Sequence, residues 1–207
     1  MNVRYSEPSE YKELFPSFIE IIKKEGKIDT VFDLGSNVGA FINLINKTMP
    51  SVKKIIGFEP DKDNYNFIKE TNYNNLNLHN VGIFYGANSC TVQGVGDNNI
   101  GGYMVSAIEN EHVKIWESGI VTYEGKEFRL EPLENFTTNE KLDLIKIDVE
   151  ASEYNILDNS PDIKKFKWII IEFHNHNSDY YLNYVKNKLE NYEIIRNTDC
   201  HFLLLKK

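Results

Sequence analysis

The chain has 207 residues, a length that favours one domain or one domain with a sizeable insertion. Hydrophobic residues make up 41% of it and aromatic residues 13%, enough for a core, which excludes global disorder. A formal net charge of −8 argues against DNA or RNA as a bulk partner, so no nucleic-acid partner is expected.

Leu14, Phe18, Ile21 and Ile22 share one face of a predicted amphipathic helix over residues 10–25, which Gly26 ends. Pro16 marks either its true start or a kink. Residues 27–33 read as a short buried strand and residues 38–48 as a helix closed by Pro50. The rhythm repeats with a strand over 54–59, a helix over 61–73 capped by Asp61 or Asp63, and a strand over 76–81. Three strands with two helices between them predict a parallel sheet with right-handed crossovers. Residues 82–130 break the pattern: glycines are dense, and 121–129 read as a hairpin turning at 124–126. This is a β-rich insertion before the fourth main strand. Strands over 142–148 and 166–173 follow, with a short helix at 152–157 between them and a helix over 178–189 after them. Residues 192–196 and 201–205 read as two closing strands, too close for a helical crossover and therefore antiparallel.

No signal peptide is expected, because Arg4, Glu7, Glu10 and Glu13 interrupt any apolar run, and no apolar stretch approaches about 20 residues. Cys90 and Cys200 are too far apart in sequence for a disulfide framework or zinc knuckle, and Cys200 reads as a core residue. A soluble, reducing, cytoplasmic setting follows as the expectation.

The chemistry gathers at strand ends. Asp33-Leu34-Gly35-Ser36-Asn37-Val38-Gly39 lies on a strand-to-helix turn. Gly35 permits a tight turn and close backbone approach, Gly39 lets the next helix pack near the strand, and helix N-terminal amides suit a carboxylate or phosphate. The spacing is G-x-x-x-G, unlike the G-x-G-x-x-G of a dinucleotide site. Asp33 can accept from a cationic amino group, a combination that suits the amino-acid end of S-adenosylmethionine. Glu59 ends the second strand, where a carboxylate can accept both ribose hydroxyls, and Pro60 stops that strand. Asn80 and Val81 end the third strand, where an adenine edge would lie; Asn80 reads equally well as a turn asparagine.

Asp148-Val149-Glu150 follows the fourth strand, and Glu172-Phe173-His174-Asn175-His176 the fifth. In an open α/β sheet, both point into the crevice at the carboxyl ends of the strands. His174 has the natural pKa for a base, with Asp148 as the alternative and Glu172 as a third candidate catalytic group. Asp148, Glu150, Glu172 and His174 could also hold a divalent metal such as magnesium or manganese, although none is expected. His79, His112 and His201 read as structural. Residues 97–153 hold 13 acidic and 5 basic residues, the whole charge imbalance of the chain, over the expected acceptor site. A polyanionic acceptor would be repelled there.

Val31 to Gly39, Gly57-Phe58-Glu59-Pro60, Leu142 to Glu150 and Ile170-Ile171-Glu172-Phe173 resemble the FkbM-type methyltransferases in order and interval, over roughly residues 28–175. Leu130 to Phe136 also resembles the segment usually found before the fourth strand. The resemblance implies a class I methyltransferase Rossmann-like sheet and methyl transfer from S-adenosylmethionine, often to a hydroxyl of a sugar or natural product. It places Asp33, Gly35, Asn37, Gly39, Glu59 and Asn80 at the cofactor, and Ser36, Pro60, Val81 and Asp148 complete the expected cofactor set. One departure is Ala151, where the family usually has glycine. Its methyl group would narrow the substrate site or extend the following helix.

The leading expectation is therefore one methyltransferase domain over 1–207, with a helical segment at 1–26 and the insertion at 82–141 near a small-molecule acceptor. The alternatives are a non-catalytic methyltransferase-like binding domain and an NAD-dependent oxidoreductase, the latter disfavoured by the glycine spacing. A nucleic-acid amino methyltransferase lacks its Asn-Pro-Pro-Tyr or Asp-Pro-Pro-Tyr stretch.

Overall fold

Alternation along the strands decides how the molecule layers. The computed structural model describes residues 9–86, 91–94, 103–106, 114–115, 120–123, 126–174, 178–198 and 201–207. The chain opens with α1 (Ser9–Glu25), β1 (Thr30–Leu34), α2 (Ala40–Thr48), β2 (Lys54–Phe58), α3 (Lys62–Lys69) and β3 (Leu76–His79). The inserted part holds β4 (Gly82–Ile83), β5 (Thr91–Gly94), β6 (Tyr103–Ser106), β7 (Lys114–Ile115), β8 (Ile120–Tyr123), β9 (Lys126–Glu131) and the short α4 (Glu134–Thr137). The last third runs β10 (Leu144–Ile147), α5 (Glu153–Asn159), β11 (Trp168–Glu172), α6 (Ser178–Lys188), β12 (Glu193–Asn197) and β13 (Phe202–Lys206).

The main sheet has seven strands in the order β12-β13-β11-β10-β1-β2-β3. From β3 to β11 all neighbours are parallel, and β13 runs antiparallel to both β11 and β12. The expected parallel sheet with an antiparallel last strand is the one observed. The chain builds outward from β1 to β3, then returns to place β10 on the other side of β1. That reversal makes the crevice between the carboxyl ends of β1 and β10 the natural ligand site.

Period-two alternation sends Val31, Ile55, Leu144 and Ile170 to one face, against Phe15, Phe18, Phe41, Ile42 and Ile45 of α1 and α2. Phe32, Leu34, Ile56, Ile145, Ile147, Ile169 and Ile171 go to the other face, against Ile156 of α5 and Tyr181 and Val185 of α6. Both faces are covered, so the strands read as continuous apolar runs. Pro16 neither starts nor ends α1 but sits inside it. An interior proline costs a helix about 3 kcal/mol, whereas fully burying a large apolar side chain contributes about 1.5–3 kcal/mol. Phe15, Phe18, Ile19 and Ile22 are all completely buried, so packing wins.

In the insertion, β8 and β9 pair antiparallel as the expected hairpin, with Tyr123 opposite Lys126; residues 124–125 of its turn lie outside the described residues. β9 also pairs parallel to β4, giving a second sheet in the order β4-β9-β8-β7, and β5 pairs with β6. No helix among the described residues is long and apolar enough to cross a membrane. Cys90, His112, His176 and Cys200 lie outside the described residues.

Candidate active site

The loop after β1 is shaped by three residues in the left-handed region: Gly35 (φ 76°), Asn37 (φ 48°) and Gly39 (φ 79°). A Cβ on Gly35 would stand 1.9 Å from the Asp148 carbonyl oxygen, so the position must be glycine for a neighbouring strand end as well as for any ligand. Gly39 faces α3, where a Cβ would lie 3.2 Å from Ile68 Cγ1, and its conformation delays the helix start to Ala40. The amides of Gly35 and Ser36 both donate to Phe58 O, at 3.1 and 2.9 Å, tying the loop to β2.

Glu59 completes that tie. It is buried, and its two oxygens accept from the Asn37 and Asp61 amides at 2.7 and 2.8 Å. Burial pushes its carboxyl up to about 8, against the pull of those two donors. Asp61, rather than Asp63, caps α3, accepting from the Asp63 and Asn64 amides.

A cleft opens beside these groups. One wall carries Gly35, Asn37, Glu59 and Pro60; the other carries Asp148, Val149, Glu150 and Ser152; Gly82, Ile83 and Leu130 give an apolar floor. Asn37 Oδ1 is buried without a hydrogen-bond partner in the protein, an acceptor open to a ligand donor.

Five of the expected cofactor residues thus meet here: Gly35, Asn37, Glu59, Pro60 and Asp148. The other five stand elsewhere. Asp33 is fully buried with Lys146 Nζ 3.3 Å from its Oδ1, so the cationic amino group it faces belongs to the protein's own lysine. Ser36 Oγ turns inward to donate to Asp33 O. Gly39 backs onto α3. Asn80 donates through Nδ2 to the Glu59 and Pro60 carbonyls at 2.9 and 3.0 Å, the turn role weighed for it. With Val81 and His79 it borders a separate open recess beside Tyr65, Arg129 and Phe136. His79 stacks on Phe58 and His201 meets Tyr181 edge-on, as structural histidines do.

Opposite the loop, β10 stops at Ile147, one residue before Asp148. The chain then turns through Glu150 (φ 49°) and Ala151 (φ 74°) before α5 begins. Strand alternation therefore does not place Glu150; the turn does. Ala151 lies outside α5, so it does not extend that helix: it occupies a backbone conformation that glycine adopts freely. Ser152 is the N-cap by position, without a side-chain capping bond.

Glu153, completely buried at the start of α5, accepts from His174 Nδ1 at 2.7 Å and from the Ala151 amide at 3.1 Å. His174 Nε2 faces Glu150 Oε2 at 3.5 Å and Glu172 Oε2 at 3.7 Å. Burial opposes charge on His174, but the hydrogen bond to Glu153 and the three surrounding carboxylates outweigh it and lift the imidazole to about 9. Burial lifts Glu172 to about 9 as well, reinforced by the charge of Asp148 beside it. Burial also opposes the charge of Asp148, yet Lys146 Nζ at 3.2 Å and the His174 cation hold its carboxyl below the ordinary range. Of the four residues considered for a divalent cation, Asp148, Glu150 and His174 each bring one donor atom within 4.8 Å of the others.

Among the described acids of the 97–153 stretch, those from Glu131 to Asp143 do not line this site. Glu131 pairs with Arg129, Glu134 accepts from Ser160, and Glu140 pairs with Lys54. Asp143 is buried at the opposite, amino end of the sheet, accepting from the Asp29 and Thr30 amides and pairing with Lys167. From 131 to 153, only Asp148, Glu150 and Glu153 join the His174 cluster. Sequence reasoning passed over Lys146 and gave Glu153 no role of its own. The available signal for Lys146 was a lone charge inside the apolar Leu144–Ile147 strand.

The seven-strand order, the glycine turn after β1 and the acid ending β2 together define a class I methyltransferase fold, whose methyl donor is S-adenosylmethionine. More particularly, the chain belongs to the methyltransferase FkbM domain family, whose model matches residues 33–197. Among solved structures it is similar to methyltransferase FkbM from Methylobacillus flagellatus KT, with TM-score 0.55 and 16% identity over 87% of this chain. It spans only 44% of that protein. A ribosomal protein L11 methylase from Lactobacillus delbrueckii subsp. bulgaricus matches with TM-score 0.53 and 13% identity, over 98% of this chain and 80% of that one. Streptococcus pneumoniae Sp1610, crystallised with S-adenosyl-L-methionine, matches with TM-score 0.50 and 11% identity, over 92% and 72%. At these identities the likeness is one of fold. No curated protein matches the chain.

Proposed function

We propose that this chain is a single methyltransferase domain that transfers the methyl group of S-adenosylmethionine to a hydroxyl of a small, sugar-like acceptor. One observation carries the reading: the Gly35–Asn37 loop, Glu59 and Asp148 line one continuous cleft. Asn37 and Glu59 offer acceptors for the hydroxyl and amino donors of the cofactor, and the apolar floor at Ile83 and Leu130 suits its base. When bound, the cofactor would supply an electrophilic methyl group on a sulfonium, and a carboxylate of the protein would take the hydroxyl proton as the acceptor oxygen displaces the sulfur, with its electron pair, from the methyl carbon.

We assign the proton-accepting role to Asp148. The sequence alone favoured His174, but His174 is engaged with Glu153 and keeps its proton to about pH 9, so at neutral pH it has no free lone pair. Its cation instead helps keep Asp148 ionised. Glu172, which keeps its proton to about pH 9, can donate to an acceptor hydroxyl and Glu150 can accept from one, an arrangement that suits a polyhydroxyl acceptor such as a sugar.

Calorimetry with S-adenosylmethionine, S-adenosylhomocysteine and NAD tests the cofactor. Binding of NAD with no binding of the other two overturns the reading. A labelled-methyl screen against free sugars and nucleotide sugars tests the acceptor, and cofactor binding with no transfer to any acceptor would favour the non-catalytic domain. With an acceptor in hand, Asp148→Asn is expected to abolish turnover and His174→Ala to reduce it. The reverse ranking, or turnover that climbs to pH 9, would return the base role to His174.

A further inference from the structure

A buried acid, a half-buried acid and a backbone carbonyl converge on a single cation at the switch point of the sheet. Lys146 is completely buried. Its Nζ donates to Gly35 O at 2.9 Å, lies 3.3 Å from Asp33 Oδ1 and lies 3.2 Å from Asp148 Oδ2. Lys146 and Asp33 are also direct register partners across β1 and β10. The Gly35 carbonyl accepts a hydrogen bond from it, whereas the contact with Asp33, neither of whose oxygens has a hydrogen-bond partner, is ionic.

Those three groups come from different parts of the cleft. Gly35 O belongs to the loop at the cofactor wall, Asp148 to the opposite wall, and Asp33 to the strand beneath both. A buried lysine serving only to neutralise Asp33 would need one of these contacts. We propose that Lys146 is a positioning residue that fixes the cofactor loop and the Asp148 carboxylate relative to one another, so that both walls of the cleft are held by one group. The assignment rests on the cleft being the cofactor site. It goes beyond that reading by giving a role to a residue that does not line the cleft.

Charge balance and positioning predict opposite outcomes when the pair is removed. Asp33→Asn alone leaves Lys146 with one acid. Adding Lys146→Met removes the cation from a site where Asp33 no longer needs it. If Lys146 only neutralises Asp33, the double variant should bind S-adenosylmethionine no worse than Asp33→Asn. If it positions the loop, the double variant should bind at least tenfold more weakly than Asp33→Asn, even where its melting temperature equals or exceeds that of the single variant. Calorimetry with S-adenosylmethionine alongside thermal unfolding reads both quantities.

A second comparison covers the Asp148 side. The affinity lost through Lys146→Met in an Asp33→Asn background should shrink when Asp148 is already Asn, because the two residues then share no ionic contact. Equal affinity of the double and single variants, or strictly additive losses with Asp148→Asn, would overturn the proposal. Should the unaltered protein bind no S-adenosylmethionine, it is the functional reading that fails. In that case, whether backbone amide shifts of residues 35–37 respond to Lys146→Met in the Asp33→Asn background, read by NMR, still decides the link to the loop: unmoved shifts would overturn it.

Discussion

Two turns face each other across the cleft, and they solve the same backbone problem with different residues. After β1, the left-handed positions fall on Gly35, Asn37 and Gly39. After β10, they fall on Glu150 and Ala151. Glycine adopts this region freely and asparagine tolerates it, whereas other residues are strained there by about 1–2 kcal/mol each. The first turn is therefore relaxed and works through its backbone: its amides bind Phe58 O and Glu59, and its carbonyl meets Lys146. The second turn is strained and works through side chains, presenting Asp148 and Glu150 to His174. Strain held by surrounding structure is common where side chains must be aimed.

The comparison breaks most sharply at Gly35. Gly35→Ala forces a Cβ into the Asp148 carbonyl, backbone against backbone, in a left-handed conformation. A loss on the order of 3–5 kcal/mol is expected from overpacking and conformational strain together. Denaturant unfolding measures it, and a loss below about 1 kcal/mol would mean the two turns do not touch as described. Next comes Glu59, which braces the relaxed turn from beneath. Glu59→Gln keeps the shape but turns an NH2 group towards one of the two amides that its oxygens accept from, so S-adenosylmethionine should bind roughly 5–150-fold more weakly, from the 1–3 kcal/mol of a buried donor left unpaired. An unchanged dissociation constant would detach Glu59 from the cofactor.

The protons on both sides of the cleft give a third effect. Glu59 is raised from 4.5 to about 8 and Glu172 from 4.5 to about 9, each chiefly by burial. His174 is raised from 6.5 to about 9, its carboxylate partners outweighing burial. In each case the folded state holds a proton that the unfolded chain releases at lower pH. The stability each contributes is therefore present below its unfolded value and lost as pH rises through its folded one. The melting temperature without cofactor should fall steadily between about pH 5 and pH 9. Glu59→Gln should flatten the part below pH 8 and His174→Ala the part above 6.5. A melting temperature that rises across this window contradicts all three assignments.

The same contrast explains what could be read from the residues alone. Gly35, Gly39 and Glu59 announce themselves because the relaxed turn depends on residue types that are needed for backbone reasons, at fixed distances. The parallel sheet with its antiparallel end was equally legible, since buried parallel strands alternate with amphipathic helices. The second turn hides, because nothing in Glu150-Ala151 signals positive φ; the missing glycine was visible, but its meaning was not. The partner of Asp33 was not legible, because a buried acid at a strand end invites a ligand amine, and only the pairing of β1 with β10 shows Lys146 beside it. Charge placement is less legible, because sequence sums charges along the chain while the fold sends Asp143 and Asp148 to opposite ends of one strand.

The smallest effect is the most direct test of the strained turn. Ala151 carries the one side chain there that makes no polar contribution, so its conformational cost can be removed without touching the acids. Ala151→Gly removes the left-handed penalty but lets the unfolded chain gain freedom, and the two leave a net stabilisation of about 1 kcal/mol or less. For a chain of this size that corresponds to roughly 2–4 °C in melting temperature. The Ala151 amide still donates to Glu153, so the His174–Glu153 contact should survive and cofactor affinity should hold. A fall in melting temperature would show that the Ala151 methyl group supports the turn rather than straining it. A rise accompanied by slower methyl transfer would mean that the strain itself keeps Glu150 aimed at the cleft.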